Sequence, residues 1–380
     1  MSTGLPTSDV LAGRHRRVRA ALEAHGLDAL VVTTPANIRY LANHVGTAGT
    51  LVVTKEAVHL LVDFRYQESV RFAQGSVAAC PSLRTWPVPA SYDEALVSTL
   101  VELGIRTAGI EAGHLTVARH EWLLSTLVAR GVGITLRSTE RLIERLRLVK
   151  DPFEVMSLRQ AAERLSGVAT EAFAAVAAGR TERDVAGVIE EALREAGYER
   201  PAFDTIVASG PNSALPHYRA GGRSLIPGDL VVLDFGGVLD GYCSDLTRTV
   251  SVGQPSPEAS RLHAAVREAQ AAAIGAVRPG VAATAVDSAA RQVLVAHGLG
   301  EAFGHGTGHG LGLDVHEEPR VSQPRPDVPQ TLLEPGMVFT IEPGAYLAGF
   351  GGVRIEDDVL VTENGYEVLT SVPRDLRVCG

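Results

Sequence analysis

The run DLVVLDFGGVLDGYCSDLTRTVSV, residues 229–252, holds two β-rich segments folded about one dipeptide. The first is almost wholly apolar until Asp234, and the second carries Asp245. Asp240-Gly241 between them is a pair that favours a tight type I′ hairpin, whose two central residues need positive φ. With that turn, position 234 faces position 247, and position 245 lies two along on the same face. Both carboxylates then project together from an apolar sheet. Like charges so placed raise each other's pKa unless a cation neutralises them, so the pair implies a metal or a shared proton.

Downstream the pattern returns. PGDLVVLDFGG from Pro227 parallels PGMVFTIEPGA from Pro335, and each places a carboxylate six residues past its Pro-Gly glycine: Asp234 in one, Glu342 in the other. Glu356 follows Glu342 after a glycine-rich turn, as Asp245 follows Asp234. Residues 174–198 also match residues 275–299, with Val176/Val277, Gly179/Gly280, Val185/Val286 and Gly197/Gly298 each 101 apart. Two related halves therefore each present a pair of acids to a shared interface. The stretch HGTGHGLGLDVHE, 305–317, adds His305, His309 and His316 in a run too rich in glycine for a stable helix. Four carboxylates and one imidazole suit two divalent ions, with Mn²⁺ or Co²⁺ expected, Zn²⁺ as the alternative, and an all-cysteine zinc site excluded.

Further out, RLRLVKDPFEVMSLRQAAERL marks a boundary, because Asp151, Pro152 and Glu154 have the N-cap, N1 and capping-box chemistry of a long helix. The predicted domains are 1–145 and 146–380. LDALVVTT, GTLVVT, VHLLVDF and TAGIEA alternate with helical patterns in the first, predicting an α/β domain after an opening helix over about 9–25 that ends at Gly26. RHRRVR, 14–19, reads as a solvated face of that helix, and the polar residues of NIRYLANH, 37–44, as ordinary loop polarity.

The net charge of −9 argues against a nucleic-acid partner. No apolar stretch approaches the ~20 residues of a membrane span, and MSTGLPTSDVLAGRHRR lacks the apolar core of a secretory signal. Three distant cysteines, Cys80, Cys243 and Cys379, fit a reducing compartment, so a cytoplasmic protein is expected. Nucleophile-elbow, phosphate-loop, H-E-x-x-H and dinucleotide-loop spacings are all missing from the sequence.

In order, VVLDFGGVLDGYCSDLTRTV, FGHGTGHGLGLDVHE, TIEPG and GGVRIEDDVLV resemble the motifs of the pita-bread metallopeptidases, and within them the Xaa-Pro peptidases, prolidase and aminopeptidase P. NIRYLANH and LLVDFRYQ are similar to that family's N-terminal domain, so the resemblance spans the chain. It implies a C-terminal pita-bread domain with an internal two-fold repeat, after a smaller three-layer α/β/α domain. It implies that Asp234, Asp245, His309, Glu342 and Glu356 hold two metal ions, with Asp245 and Glu356 bridging them. His217, His305 and His316 match positions that bind substrate, and Arg354 matches an arginine that orients the ligands. The implied reaction is hydrolysis of the bond preceding proline by a hydroxide held between the metals. Glu342 would move its proton, with His316 and His217 beside the reacting carbonyl and the proline ring. Arg320 falls where some prolidases pair with the carboxylate of a dipeptide, so Xaa-Pro dipeptides are expected ahead of the longer peptides of aminopeptidase P. The family also implies a homodimer. Metal-free creatinase-type enzymes and inert binding modules share the fold, but those lineages replace the acids or the histidine, and this chain keeps all five.

Overall fold

Every residue of strands Ala29–Val32, Thr50–Thr54 and Val58–Val62 is buried, so both faces of their sheet are covered. In this computed structural model, which describes residues 4–326 and 328–380, the chain divides into Met1–Arg147 and Leu148–Gly380. The first three residues of MSTGLPTSDVLAGRHRR lie outside the described residues. The first unit is a mixed sheet in the order Leu83–Pro87, Val58–Val62, Thr50–Thr54, Ala29–Val32, Thr107–Glu111, Thr135–Thr139. Ala29 and Val31 pack with Leu96, Leu100, Leu123 and Leu127 of helices Tyr92–Glu102 and Val117–Ala129. Leu30 and Val32 point to the opposite face and are equally buried.

Two expectations fail here. Arg14 and His15 of helix Ser8–Ala24 are buried rather than solvated. Arg14 donates to Tyr40 O (2.9 Å) and lies over the Tyr40 ring, while His15 Nε2 meets Leu41 O (2.6 Å). NIRYLANH is not a loop either. Pro35–Ala42 is a helix, and buried Asn37 donates to Glu111 Oε1 (2.6 Å) and accepts from Arg147 (2.7 Å). Backbone carbonyls and carboxylates distant in sequence satisfy these groups, and local pattern does not reveal them.

The second unit bears out the repeat. Helix Pro152–Ala175, capped by Asp151 and Glu154 as expected, precedes helix Glu182–Glu195, and Pro257–Ala276 precedes Ala283–Ala296. Both helix ends and both following starts are 101 residues apart. The bond Gly179 N–Leu225 O (2.8 Å) recurs as Gly280 N–Leu333 O (2.8 Å), and Gly228 N–Val252 O (2.7 Å) as Gly336 N–Val361 O (2.9 Å).

Each helix pair backs one hairpin. In the first, Leu230–Leu239 pairs with Tyr242–Val252 in the predicted register, with Asp234 opposite Thr247 and Gly236 opposite Asp245. Asp240 (φ 48°) and Gly241 (φ 81°) supply the positive φ that the turn needs. In the second, Val338–Ile341 pairs with Asp357–Thr362, and Gly344–Leu347 with Gly351–Arg354.

Alternation then sorts the side chains. Val231, Leu233, Phe235, Leu246 and Val250 join the core under the first helix pair, and Phe339, Ile341, Val353, Ile355, Val359 and Val361 that under the second. Their neighbours in sequence turn the other way: Asp234, Asp245, Thr247, Thr340, Glu342, Arg354, Glu356 and Asp358. Two helix-backed hairpins therefore meet by polar inner faces, which is the pita-bread arrangement. Glu356 N donates to Thr247 O (3.1 Å) where they cross. Among the described residues, no helix is long and apolar enough to cross a membrane.

Candidate metal centre

The glycines of 305–317 have a steric reason. A Cβ on Gly308 would come within 1.9 Å of Thr340 O, and one on Gly310 within 2.0 Å of Glu318 O. Only glycine lets the three-residue strand Gly308–Gly310 lie so close to both neighbours, and that closeness delivers His309 to the acids. His309 Nδ1 lies 3.1 Å from Gly310 O. With its proton donated there, Nε2 keeps a lone pair 3.5 Å from Glu342 Oε1 and 4.0 Å from Asp245 Oδ2. Asp245, His309 and Glu356 each offer a ligand atom, all within 4.8 Å of one another.

Asp234 completes the group through Arg354, which donates to Asp234 Oδ2, to the Tyr346 hydroxyl (2.7 Å) and to Thr247 Oγ1 (3.3 Å). Thr247 in turn donates to Glu356 Oε2 (2.5 Å). Asp358 accepts from Asp245 N (3.2 Å) and Ser244 Oγ (2.7 Å), fixing the strand that carries Asp245.

The electrostatics are those of a site short of cations. Burial, then the charges of Asp234, Asp358 and Glu342, push the Asp245 carboxyl well above the usual range. Burial and the charges of Asp245, Glu342 and Asp234 do the same to Glu356. Glu342 is pushed up to about 8, chiefly by burial, and burial pushes His309 down to about 4, leaving it neutral. Asp234 Oδ1, Asp245 Oδ1 and Glu356 Oε1 are buried without a hydrogen-bond partner among the described residues. A buried carboxylate oxygen left without a hydrogen-bond donor costs about 1–3 kcal/mol. Three such oxygens around a neutral imidazole fit divalent cations, so the donor set passes the test that its chemistry sets.

Around this group stand the other expected residues. The His316 ring lies edge-on to His309 with centroids 4.4 Å apart. Arg320 is the cross-strand partner of His309, and its exposed side chain belongs to the same face. His305 packs against Phe303 and Tyr346, with Nε2 3.0 Å from the Tyr346 hydroxyl. His217 is exposed and lies within electrostatic reach of both His305 and His316. The sequence places Thr247 opposite Asp234 but does not single out Tyr346, Thr340 or Asp358. Alternation from the acids would have placed Thr340 and Asp358 on the inner face, whereas Tyr346 left no pattern of its own.

Residues 156–363 match the family model described as Metallopeptidase family M24. The chain belongs to this family. Residues 14–149 match the Creatinase/Prolidase N-terminal domain. The M24 chain is 33% identical over 369 residues to an Xaa-Pro dipeptidase of Pyrococcus horikoshii, covering 97% of this chain and 99% of that one. An Xaa-Pro dipeptidase structure from Bacillus anthracis superposes with a TM-score of 0.89 at 35% identity, over 97% and 99% of the two chains. An X-Pro aminopeptidase structure from Thermotoga maritima gives 0.85 at 33% identity, over 96% and 99%. Membership of a metallopeptidase family implies divalent metal binding for the M24 chain.

Proposed function

We propose that this protein hydrolyses the peptide bond preceding proline, with Xaa-Pro dipeptides as its preferred substrates. The observation that carries the reading is the convergence of Asp245, Glu342 and Glu356 on neutral His309, with Asp234 tied to the group through Arg354 and Arg320 paired across the strand from that histidine. Asp234, Asp245, His309, Glu342 and Glu356 hold two ions, Mn²⁺ or Co²⁺. The bound ions supply Lewis-acid activation of water and of the scissile carbonyl.

The chain's own groups do the rest. Glu342 accepts the proton of the attacking water at its carboxylate and passes it to the departing proline nitrogen. His316 donates a hydrogen bond to the carbonyl oxygen as negative charge builds there, a contact worth about 3 kcal/mol in comparable sites. His217 and His305 wall the pyrrolidine ring. The tertiary amide nitrogen of an Xaa-Pro bond offers no N–H to recognise, so selection falls to ring shape and to the substrate carboxylate, for which the planar fork of Arg320 is suited. The proposed compartment is the cytoplasm, consistent with three buried cysteines that form no disulfide among the described residues, and the proposed assembly is a homodimer.

The test compares Xaa-Pro dipeptides with Xaa-Pro-Yaa tripeptides on protein loaded with Mn²⁺ or Co²⁺. Dipeptide preference, reduced in Arg320→Ala mainly through KM, is expected. Faster tripeptide cleavage would instead assign an aminopeptidase P activity.

A further inference from the structure

The segment carrying His217 has almost no regular structure of its own: strand Ile206–Ser209 and a 3-10 turn over Gly210–Ala214 give way to an irregular run. Yet both ends of that run are tied to one side chain. Glu182 is the first residue of helix Glu182–Glu195, and it is fully buried. Its Oε1 accepts from Ser209 N (2.9 Å), Ser209 Oγ (2.7 Å) and Asn212 Nδ2 (2.9 Å). Its Oε2 accepts from Gly221 N (3.2 Å), and Asn212 also donates to the Tyr218 hydroxyl (2.9 Å). A Cβ on Gly221 would stand 2.8 Å from that hydroxyl, so the far end of the run closes tightly on the same carboxylate.

We propose that Glu182 is a positioning residue for substrate binding, acting through the 209–221 segment to hold His217 at the edge of the metal centre. The proposal rests on the reading of His217 as part of the proline-ring wall.

The other half uses the same device. Asp287, fully buried on helix Ala283–Ala296, accepts from Thr307 N (3.1 Å) and Thr307 Oγ1 (2.9 Å). It also pairs with Arg291, which donates to Phe303 O (3.0 Å), so the 303–307 segment and its His305 are clamped. The equivalent helix of each half therefore sends a buried carboxylate to the segment that bears one wall histidine. A carboxylate suits the task because one side chain accepts several donors with charge-assisted strength, and a neutral amide cannot. Glu182 touches none of the five proposed metal ligands, so its effect should separate from metal binding.

The experiment is Glu182→Gln in the full chain, loaded with Mn²⁺. Metal content should stay at the wild-type value, KM for an Xaa-Pro dipeptide should rise about tenfold, and kcat should remain within about threefold. Hydrogen exchange should quicken at the amides of Ser209 and Gly221 and stay unchanged across the 230–252 hairpin. Asn212→Ala, which removes one donor and leaves the buried charge satisfied by the others, should shift KM in the same direction by about threefold, and it serves if the first variant does not fold. An unchanged KM in a variant whose 209–221 amides exchange faster would overturn the proposal, as would a fall in kcat with KM unaltered. Wild-type protein inert towards every Xaa-Pro substrate would overturn the functional reading instead, while the exchange data would still decide whether Glu182 holds the segment.

Discussion

Glu342 stands directly opposite Glu356 across a break in the second hairpin. The ladders on either side of the break, Ile341 opposite Asp357 and Gly344 opposite Arg354, keep one register, and it passes through this pair. At the break the two amides leave the hairpin: Glu342 N donates to Thr307 O (2.7 Å) and Glu356 N to Thr247 O (3.1 Å). The first hairpin differs, since Asp245 sits diagonally from Asp234 along an unbroken ladder. The halves thus repeat their elements and their acids, but not the spacing between the acids.

Two carboxylates held face to face make opposite demands with and without metal. Glu356→Gln should raise the stability of metal-stripped protein by about 1 kcal/mol or more near pH 7.5, because burial and its acidic neighbours hold the Glu356 carboxyl well above its usual range and folding must keep it protonated there, at a cost an amide does not carry. The same change should lower bound metal and reduce turnover by at least about a hundredfold. Thermal melts with and without chelator, beside elemental analysis, read both signs. A variant that loses stability in both states would contradict the opposition described here.

Local turn chemistry explains what could be read in advance. Asp240-Gly241 specifies one turn, so the register of the first hairpin and the shared face of Asp234 and Asp245 follow from a dipeptide. The 101-residue offset between helix pairs was equally legible, because helix punctuation such as Gly179 and Gly280 repeats with it. LAGFGGVR, by contrast, offers Gly349, Gly351 and Gly352 as turn candidates, so the opposition of Glu342 and Glu356 needed coordinates. Arg14, Glu182 and Asp287 were illegible for another reason. Each is satisfied in part by backbone groups of distant segments, Tyr40 O for Arg14, Ser209 N and Gly221 N for Glu182 and Thr307 N for Asp287, which carry no side-chain signature.

Tyr346 joins two parts of the site. Its hydroxyl accepts from Arg354, which holds Asp234, and lies 3.0 Å from His305. Tyr346→Phe keeps the ring and removes this junction. Partners of this kind typically contribute 10–100-fold, so kcat/KM should fall by about that factor while the melting temperature changes little. Equal activity in the two proteins would show that Arg354 is oriented without it.

Gly308 tests the close approach that brings in His309. Gly308→Ala must displace backbone, since its methyl would meet Thr340 O at 1.9 Å and no flexible side chain can yield. Loss of bound metal is expected, with destabilisation of about 1–3 kcal/mol. Gly304→Ala is the control, because a Cβ there meets nothing within 4 Å. If both variants bind metal like the parent, the glycines serve some other purpose.

His263 should set part of the acid limit of the fold. It is buried on helix Pro257–Ala276, faced by Arg267 of its own helix and by Asp375 and Arg248, and burial pushes its imidazole down to about 4. The unfolded chain takes up this proton near pH 6.5, whereas the folded chain resists it until about pH 4. The contribution is therefore complete above pH 6.5 and is lost as pH falls through the interval to about 4, a total on the order of 3 kcal/mol. His263→Gln carries no proton to gain, so denaturant titrations at pH 7 and pH 4 should show the variant losing less stability than the parent. Parallel losses in the two proteins would mean that His263 is already protonated in the native core or that its charge is accommodated there by Asp375.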